Sequence, residues 1–203
     1  MNSEKITGVV LAGGLGRRMG GTDKGLQELN GQPMVAQVLA RFAPQVDELV
    51  INANQNIARY GAFGYRVVPD AIAGFAGPLA GLHAALSAAD SPLVATVPCD
   101  SPFLPTDLVA RLHAAMLAAD TQFAVARTFA QPHPVFCLCR RDVLPHLSDY
   151  LARGERRFEG WYATLKVAEV AFDDEAAAFE NINTREDLAR FSLKPEGNDA
   201  AAH

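Results

Sequence analysis

The run Ile6-Thr-Gly-Val-Val-Leu11 closes directly on a glycine-rich, basic loop, and that junction constrains the chain more than any other feature. The run is apolar, rich in β-branched residues and lacks polar alternation, which predicts a parallel strand buried on both faces. Ligands of open parallel sheets collect beyond the carboxyl ends of the strands. Glycines at 13, 14, 16, 20, 21 and 25 let backbone amides approach an anion without Cβ interference, and Arg17, Arg18 and Lys24 add positive charge. Two common phosphate motifs fail. A dinucleotide fingerprint would need glycine where Met19 stands, and a P-loop would need Ser or Thr after Lys24, where Gly25 stands. Glycine content alone leaves a phosphate cradle and a plain turn with exposed arginines equally open.

The rest of the chain places this loop in a sheet. Apolar strand patterns recur at Glu48–Ala53, Tyr65–Val68 and Leu93–Val97. Helical patterns fall between them: Pro33 to Ala43, Asn54–Tyr60, Pro78 to Ala89 and Pro105–Ala118. This alternation predicts an α/β fold, a mostly parallel sheet with helices on both faces joined by right-handed crossovers. Further strands are expected at Phe123–Arg127, Pro134–Cys139 and Lys166–Phe172, with helices at Asp142–Leu151 and Thr184–Phe191, the last capped by Thr184 and Asp187. The second half is less regular and partly antiparallel. Residues 1–193 read as one domain and 194–203 as a disordered tail.

Composition narrows the function. With 18 Lys and Arg against 23 Asp and Glu, the net charge of −5 disfavours general nucleic-acid binding. No apolar run reaches the roughly 18 residues that cross a bilayer, and the start of the chain carries no secretory signal; a cytoplasmic location is expected. Three cysteines do not make a disulfide framework or a zinc set, and Cys137 and Cys139 are expected as buried thiols on one strand face. Asp100, in "VPCDSPF", falls just past the fourth strand at the same sheet edge as the glycine loop. A carboxylate there can hold Mg²⁺, which grips phosphate oxygens; the competing role is a cap on the next helix.

Together these segments resemble the nucleotidyltransferase superfamily, and within it the molybdenum cofactor guanylyltransferases. The match is carried by "LAGG" at 11–14, "RMGGTDKG" at 18–25, "INAN" at 51–54, "GPLAG" at 77–81, "PCDSP" at 98–102, "GERR" at 154–157 and "NINT" at 181–184. It spans residues 6 to 190. The resemblance implies a Rossmann-like, GT-A-like fold and transfer of GMP from GTP to the terminal phosphate of molybdenum-molybdopterin. Pyrophosphate leaves, and the guanine dinucleotide cofactor forms with Mg²⁺, or Mn²⁺ in its place. The cytidylyltransferase branch differs by LAAG and by Gln after the metal Asp, where this chain has Gly13 and Ser101. Alternatives are a cytidylyl- or sugar-nucleotidyltransferase, a non-catalytic nucleotide-binding regulator, or a scaffold that hands cofactor to apoenzymes.

The same resemblance implies residue roles. Leu11, Ala12, Gly13 and Gly14 meet base and ribose through backbone; Arg18 and Lys24 hold the triphosphate; Asn52 and Asp70 serve the nucleotide. Gly77, Pro78, Leu79 and Gly81 wall the base. Asp100 binds the metal, with Asn181 and Asn183, expected two apart on a strand, as candidates to complete the site. Arg153, Arg156 and Arg157 form a basic cluster that either suits the phosphate-bearing pterin or is a solvated face, and His133 is either part of that cleft or a packed loop residue. Transient contacts with cofactor-biosynthetic proteins or apoenzymes are expected, and none with nucleic acid or membrane.

Overall fold

A computed structural model describes residues 4–13, 23–72, 77–182 and 184–192. Gly14, Arg18 and Asn183, and the expected tail at 194–203, lie outside the described residues.

Strand β1, Ile6–Leu11, is the third strand from one edge of a seven-stranded sheet. On one side it pairs in parallel with β4 (Glu48–Asn52), which pairs in parallel with β5 (Arg66–Val68). On the other side it pairs in parallel with β6 (Leu93–Pro98). Beyond β6 come β8 (Gln131–Arg140), β7 (Phe123–Thr128) and β9 (Val167–Ala171). Strand β8 runs antiparallel to both its neighbours, while β7 and β9 are parallel. The expected antiparallel element is therefore this one strand, set inside the sheet.

Alternation along the strands feeds two cores. Ile6, Val10, Leu93, Val97 and Leu138 face one side with α1 (Met34–Phe42) and α4 (Leu108–Ala119). Val9, Val94, Cys137 and Cys139 face the other with α3 (Pro78–Ala88), α5 (Leu144–Ala152) and α6 (Phe158–Tyr162). Both thiols are thus buried on one face, as the strand spacing predicted. Gly8 admits α1: a Cβ there would lie 2.8 Å from the Phe42 ring.

Several boundaries differ from expectation for physical reasons. Strand β8 begins at Gln131 although it contains Pro132 and Pro134. A register shift between Val125 and Ala126 of β7 accommodates the lost donors. Helix α4 starts at Leu108 with Asp107 at its N-cap, not at Pro105. A hairpin of β2 (Glu28–Leu29) and β3 (Gln32–Pro33) was not foreseen, though its turn is Asn30-Gly31 with φ of +54° and +78°, the pair such turns favour. Also unforeseen were α6 and a 3-10 segment, Asp173–Phe179. The last helix, α7 (Arg185–Ser192), carries the expected reciprocal cap. The Thr184 amide donates to Asp187 Oδ2 and the Asp187 amide to Thr184 Oγ1, each at 3.0 Å. No helix among the described residues is long and apolar enough to cross a membrane.

Candidate active site

The chain lays β4 and β5 on one side of β1 and then crosses to put β6 on the other. Such a reversal opens a crevice at the carboxyl ends of the two central strands. Backbone bonds hold that edge in register: Cys99 N–H donates to Leu11 O (3.1 Å), Ala12 N–H to Asn52 O (2.8 Å) and Ala53 N–H to Val68 O (3.0 Å).

One corner forms around Asn52, a buried residue at the end of β4. Its amide donates to Val68 O at 3.2 Å and to Asp70 Oδ1 at 3.0 Å. The Asn54 amide donates to Asp70 Oδ2 at 2.8 Å, and Asn54 Oδ1 accepts the Asp70 N–H at 2.8 Å. The two asparagines thus divide one carboxylate between them. Glycines complete the corner. A Cβ on Gly13 would stand 2.9 Å from Asn54 Nδ2 and 3.1 Å from Asn52 Oδ1, and one on Gly81 would stand 2.8 Å from Asn52 Oδ1 and 3.0 Å from Leu11. Gly77, at φ +146°, turns the chain into α3, and Pro78 sits exposed at its first turn. Leu79 points into the core, so it meets a ligand only through backbone.

The second corner lies where β6 ends. Lys24, opening a 3-10 turn over Lys24–Leu26, donates from Nζ to Asp100 Oδ2 at 3.3 Å. The lysine side chain is 26% exposed and the aspartate 12%. Burial pushes the Asp100 carboxyl above the usual aspartate range, and Lys24 works in the opposite direction. Asp100 caps no helix; that place belongs to Asp107. Ser101 donates to Asn181 Oδ1 at 2.6 Å, and Ile182 N–H donates to Asp100 O at 2.9 Å. Asn181 thus bonds to the residue that follows Asp100, and its backbone is irregular rather than the expected strand.

The donor set at Asp100 suits a hard divalent cation that keeps most of its coordination for other ligands. Among the described residues no group of three His, Cys, Asp or Glu comes together. One carboxylate with phosphate oxygens and water is a typical Mg²⁺ or Mn²⁺ arrangement, because these ions dehydrate reluctantly.

Other expected residues have partners close by in the chain. The Arg156 guanidinium donates to Glu155 O (2.8 Å) and to Leu151 O (3.4 Å) near the end of α5. Arg153 lies over the Tyr150 ring at 5.8 Å. His133 hydrogen-bonds Thr128 through Nε2 at 2.7 Å and stacks on Phe179 at 4.9 Å, and burial lowers its pKa. Sequence reasoning gave no role to Asp23, Asn56 or Tyr60, which meet behind Lys24. Only the adjacency of Asp23 to that lysine hinted at it.

Comparison with known proteins identifies the family. Residues 8–167 match the MobA-like NTP transferase domain family. A relative from Cupriavidus taiwanensis, named molybdenum cofactor guanylyltransferase, is 51% identical over 190 residues, covering 91% of this chain and 95% of its own. Among solved structures, the molybdopterin-guanine dinucleotide biosynthesis protein A of Archaeoglobus fulgidus superposes with a TM-score of 0.77 at 25% identity, covering 92% of this chain and 96% of that one. A Mycobacterium tuberculosis protein solved as a complex with manganese shares the fold, with a TM-score of 0.66 at 22% identity, covering 92% and 97%.

Proposed function

The chain belongs to the MobA-like NTP transferase family, and on that premise we propose that it transfers GMP from GTP to the terminal phosphate of molybdenum-molybdopterin. A pterin phosphate oxygen bonds to the α-phosphorus of GTP, the bond from that phosphorus to the bridging oxygen breaks, and pyrophosphate leaves with its electron pair. The observation that carries this reading is the Lys24–Asp100 pair at the bare-backbone end of β1. It puts one positive charge and one largely buried negative charge side by side at the sheet edge where the triphosphate would lie.

On this reading Leu11, Ala12, Gly13 and Gly14 present backbone to the nucleoside, and Gly77, Pro78, Leu79 and Gly81 bound it. Asn52 and Asp70 keep that wall in shape, because their mutual bonds fix the asparagine amides against Gly13 and Gly81. Arg18 and Lys24 neutralise the triphosphate. Asp100, with Asn181 and Asn183 as the candidates to complete the site, would hold Mg²⁺ or Mn²⁺, which would supply charge neutralisation to the phosphates. Lys24 then exchanges its carboxylate partner for phosphate oxygens, a compact ammonium suited to following charge as it moves to the leaving group. Catalysis is placement plus electrostatics, with no covalent enzyme intermediate. Arg156 is assigned to the pterin phosphate, and the reaction to the cytoplasm, with passing contact to cofactor-biosynthetic proteins or apoenzymes.

Gly13 separates this chain from the LAAG pattern of the cytidylyltransferase branch and so favours guanine. The alanine of the LAAG pattern would need its Cβ within 2.9 Å of Asn54 Nδ2. The test offers GTP and CTP separately with Mg²⁺ and molybdenum-loaded pterin and follows pyrophosphate. Release with GTP is expected. Preferential consumption of CTP would overturn the guanine assignment, and binding of GTP without release would make the protein a regulator.

A further inference from the structure

Asp23 stands next to the lysine of the site, and neither of its carboxylate oxygens faces the crevice pair. Oδ1 accepts the Tyr60 hydroxyl at 2.6 Å and Oδ2 accepts the Asn56 amide at 2.9 Å. Both partners come from the segment after β4. Asn56 sits at the N-cap of α2 (Ile57–Gly61) in the left-handed region, at φ +51°, yet makes no side-chain bond to its own helix. Its amide goes to Asp23 instead. Tyr60 is the buried residue of that five-residue helix. Burial, with Cys99 and Asp23 nearby, raises its phenol pKa, so it stays a donor at working pH. Gly25 permits the reach: a Cβ there would lie 2.7 Å from the Tyr60 oxygen and 3.1 Å from Cys99 Sγ.

We infer that Asp23, Tyr60 and Asn56 form a clasp that positions Lys24. A lysine on a four-carbon stem is effective in a transition state only if its starting point is fixed. The clasp fixes it from one side, and the packing of Gly25 against Tyr60 and Cys99 fixes it from the other. Asp23, Tyr60 and Asn56 touch no substrate on this account and act through the lysine. The inference rests on Lys24 meeting the triphosphate.

The test compares Tyr60→Phe and Asn56→Gly in the wild-type and Lys24→Ala backgrounds, using single-turnover pyrophosphate release with GTP, Mg²⁺ and molybdenum-loaded pterin, with thermal midpoints beside each. In the wild-type background Tyr60→Phe lowers the rate about tenfold and Asn56→Gly about threefold, the scale of a misplaced charge. The apparent KM for pterin does not move. In the Lys24→Ala enzyme, already slower by about 10²–10³, neither change costs anything further. Wild-type rates in both variants, or the same factor lost in both backgrounds, would overturn the clasp. Wild-type turnover by Lys24→Ala alone would instead remove the role given to that lysine, and the clasp with it. Should Tyr60→Phe fail to fold, Asn56→Gly carries the comparison alone, since Asn56 is exposed and already in a conformation that glycine adopts freely.

Discussion

At the Asn52 corner, two asparagine amides divide one carboxylate between them and glycine backbone fills the remaining space; at the Asp100 corner, a lysine and a buried carboxylate meet with burial working against the charge. The first is a shaped wall whose bonds are internal. The second, on the proposed function, is a pair whose members turn to other partners. A nucleotide needs both: a rigid surface where selection depends on fit, and exchangeable charge where negative charge is redistributed during reaction.

The largest expected effect comes from removing the charge at the second corner. Asp100→Asn lowers single-turnover rate by about 10²–10³ and yet raises the thermal midpoint near neutral pH, on the order of 2–4 °C per kcal/mol relieved. The sign follows from the raised carboxyl. The folded chain holds the Asp100 proton more tightly than the unfolded one. Wild-type stability from this group is therefore full below the ordinary aspartate pKa and is lost as pH rises through the higher folded value. The gain from asparagine shrinks as pH falls through that same value, which melting curves across pH will show. A mutant that loses stability at neutral pH would break the contrast between the corners.

Gly81→Ala comes next. Alanine is the better helix former by about 1 kcal/mol, but its Cβ would press on Asn52 Oδ1 and Leu11. A loss of roughly 1–3 kcal/mol in urea unfolding is expected, together with weaker GTP binding. Gly13→Ala acts on the same wall from the strand side, where Asn54 is exposed and has room to give. A smaller rise in KM for GTP, about threefold, is expected there, with CTP affected less. The mildest change is Ser101→Ala, which removes the bond to Asn181 and costs about 0.5–1.5 kcal/mol of stability, with activity falling only as far as Asn181 drifts from Asp100.

Much of this architecture was legible in the residues. The apolar runs named the central strands because those strands are buried on both faces, and Pro78, Thr184 and Asp187 marked helix starts by their local chemistry. Asp100 and Lys24 could be paired because both follow a strand at one sheet edge. What escaped depended on contacts distant in sequence. The Asn30-Gly31 turn was readable but lay between two-residue strands too short to show alternation. The clasp on Asp23 joins residues 33 and 37 positions apart, with no periodicity linking them.

On the proposed function, Lys24 and Asp100 neutralise each other when no ligand is bound and turn to triphosphate and metal when both are. Mn²⁺ binding followed by electron paramagnetic resonance, with and without GTP, in wild type and Lys24→Met, tests it directly. Without nucleotide the variant should bind Mn²⁺ more tightly than wild type, because the lysine no longer competes for the carboxylate; with GTP it should bind the metal–nucleotide pair more weakly. A shift in the same direction under both conditions, or none, would contradict the account.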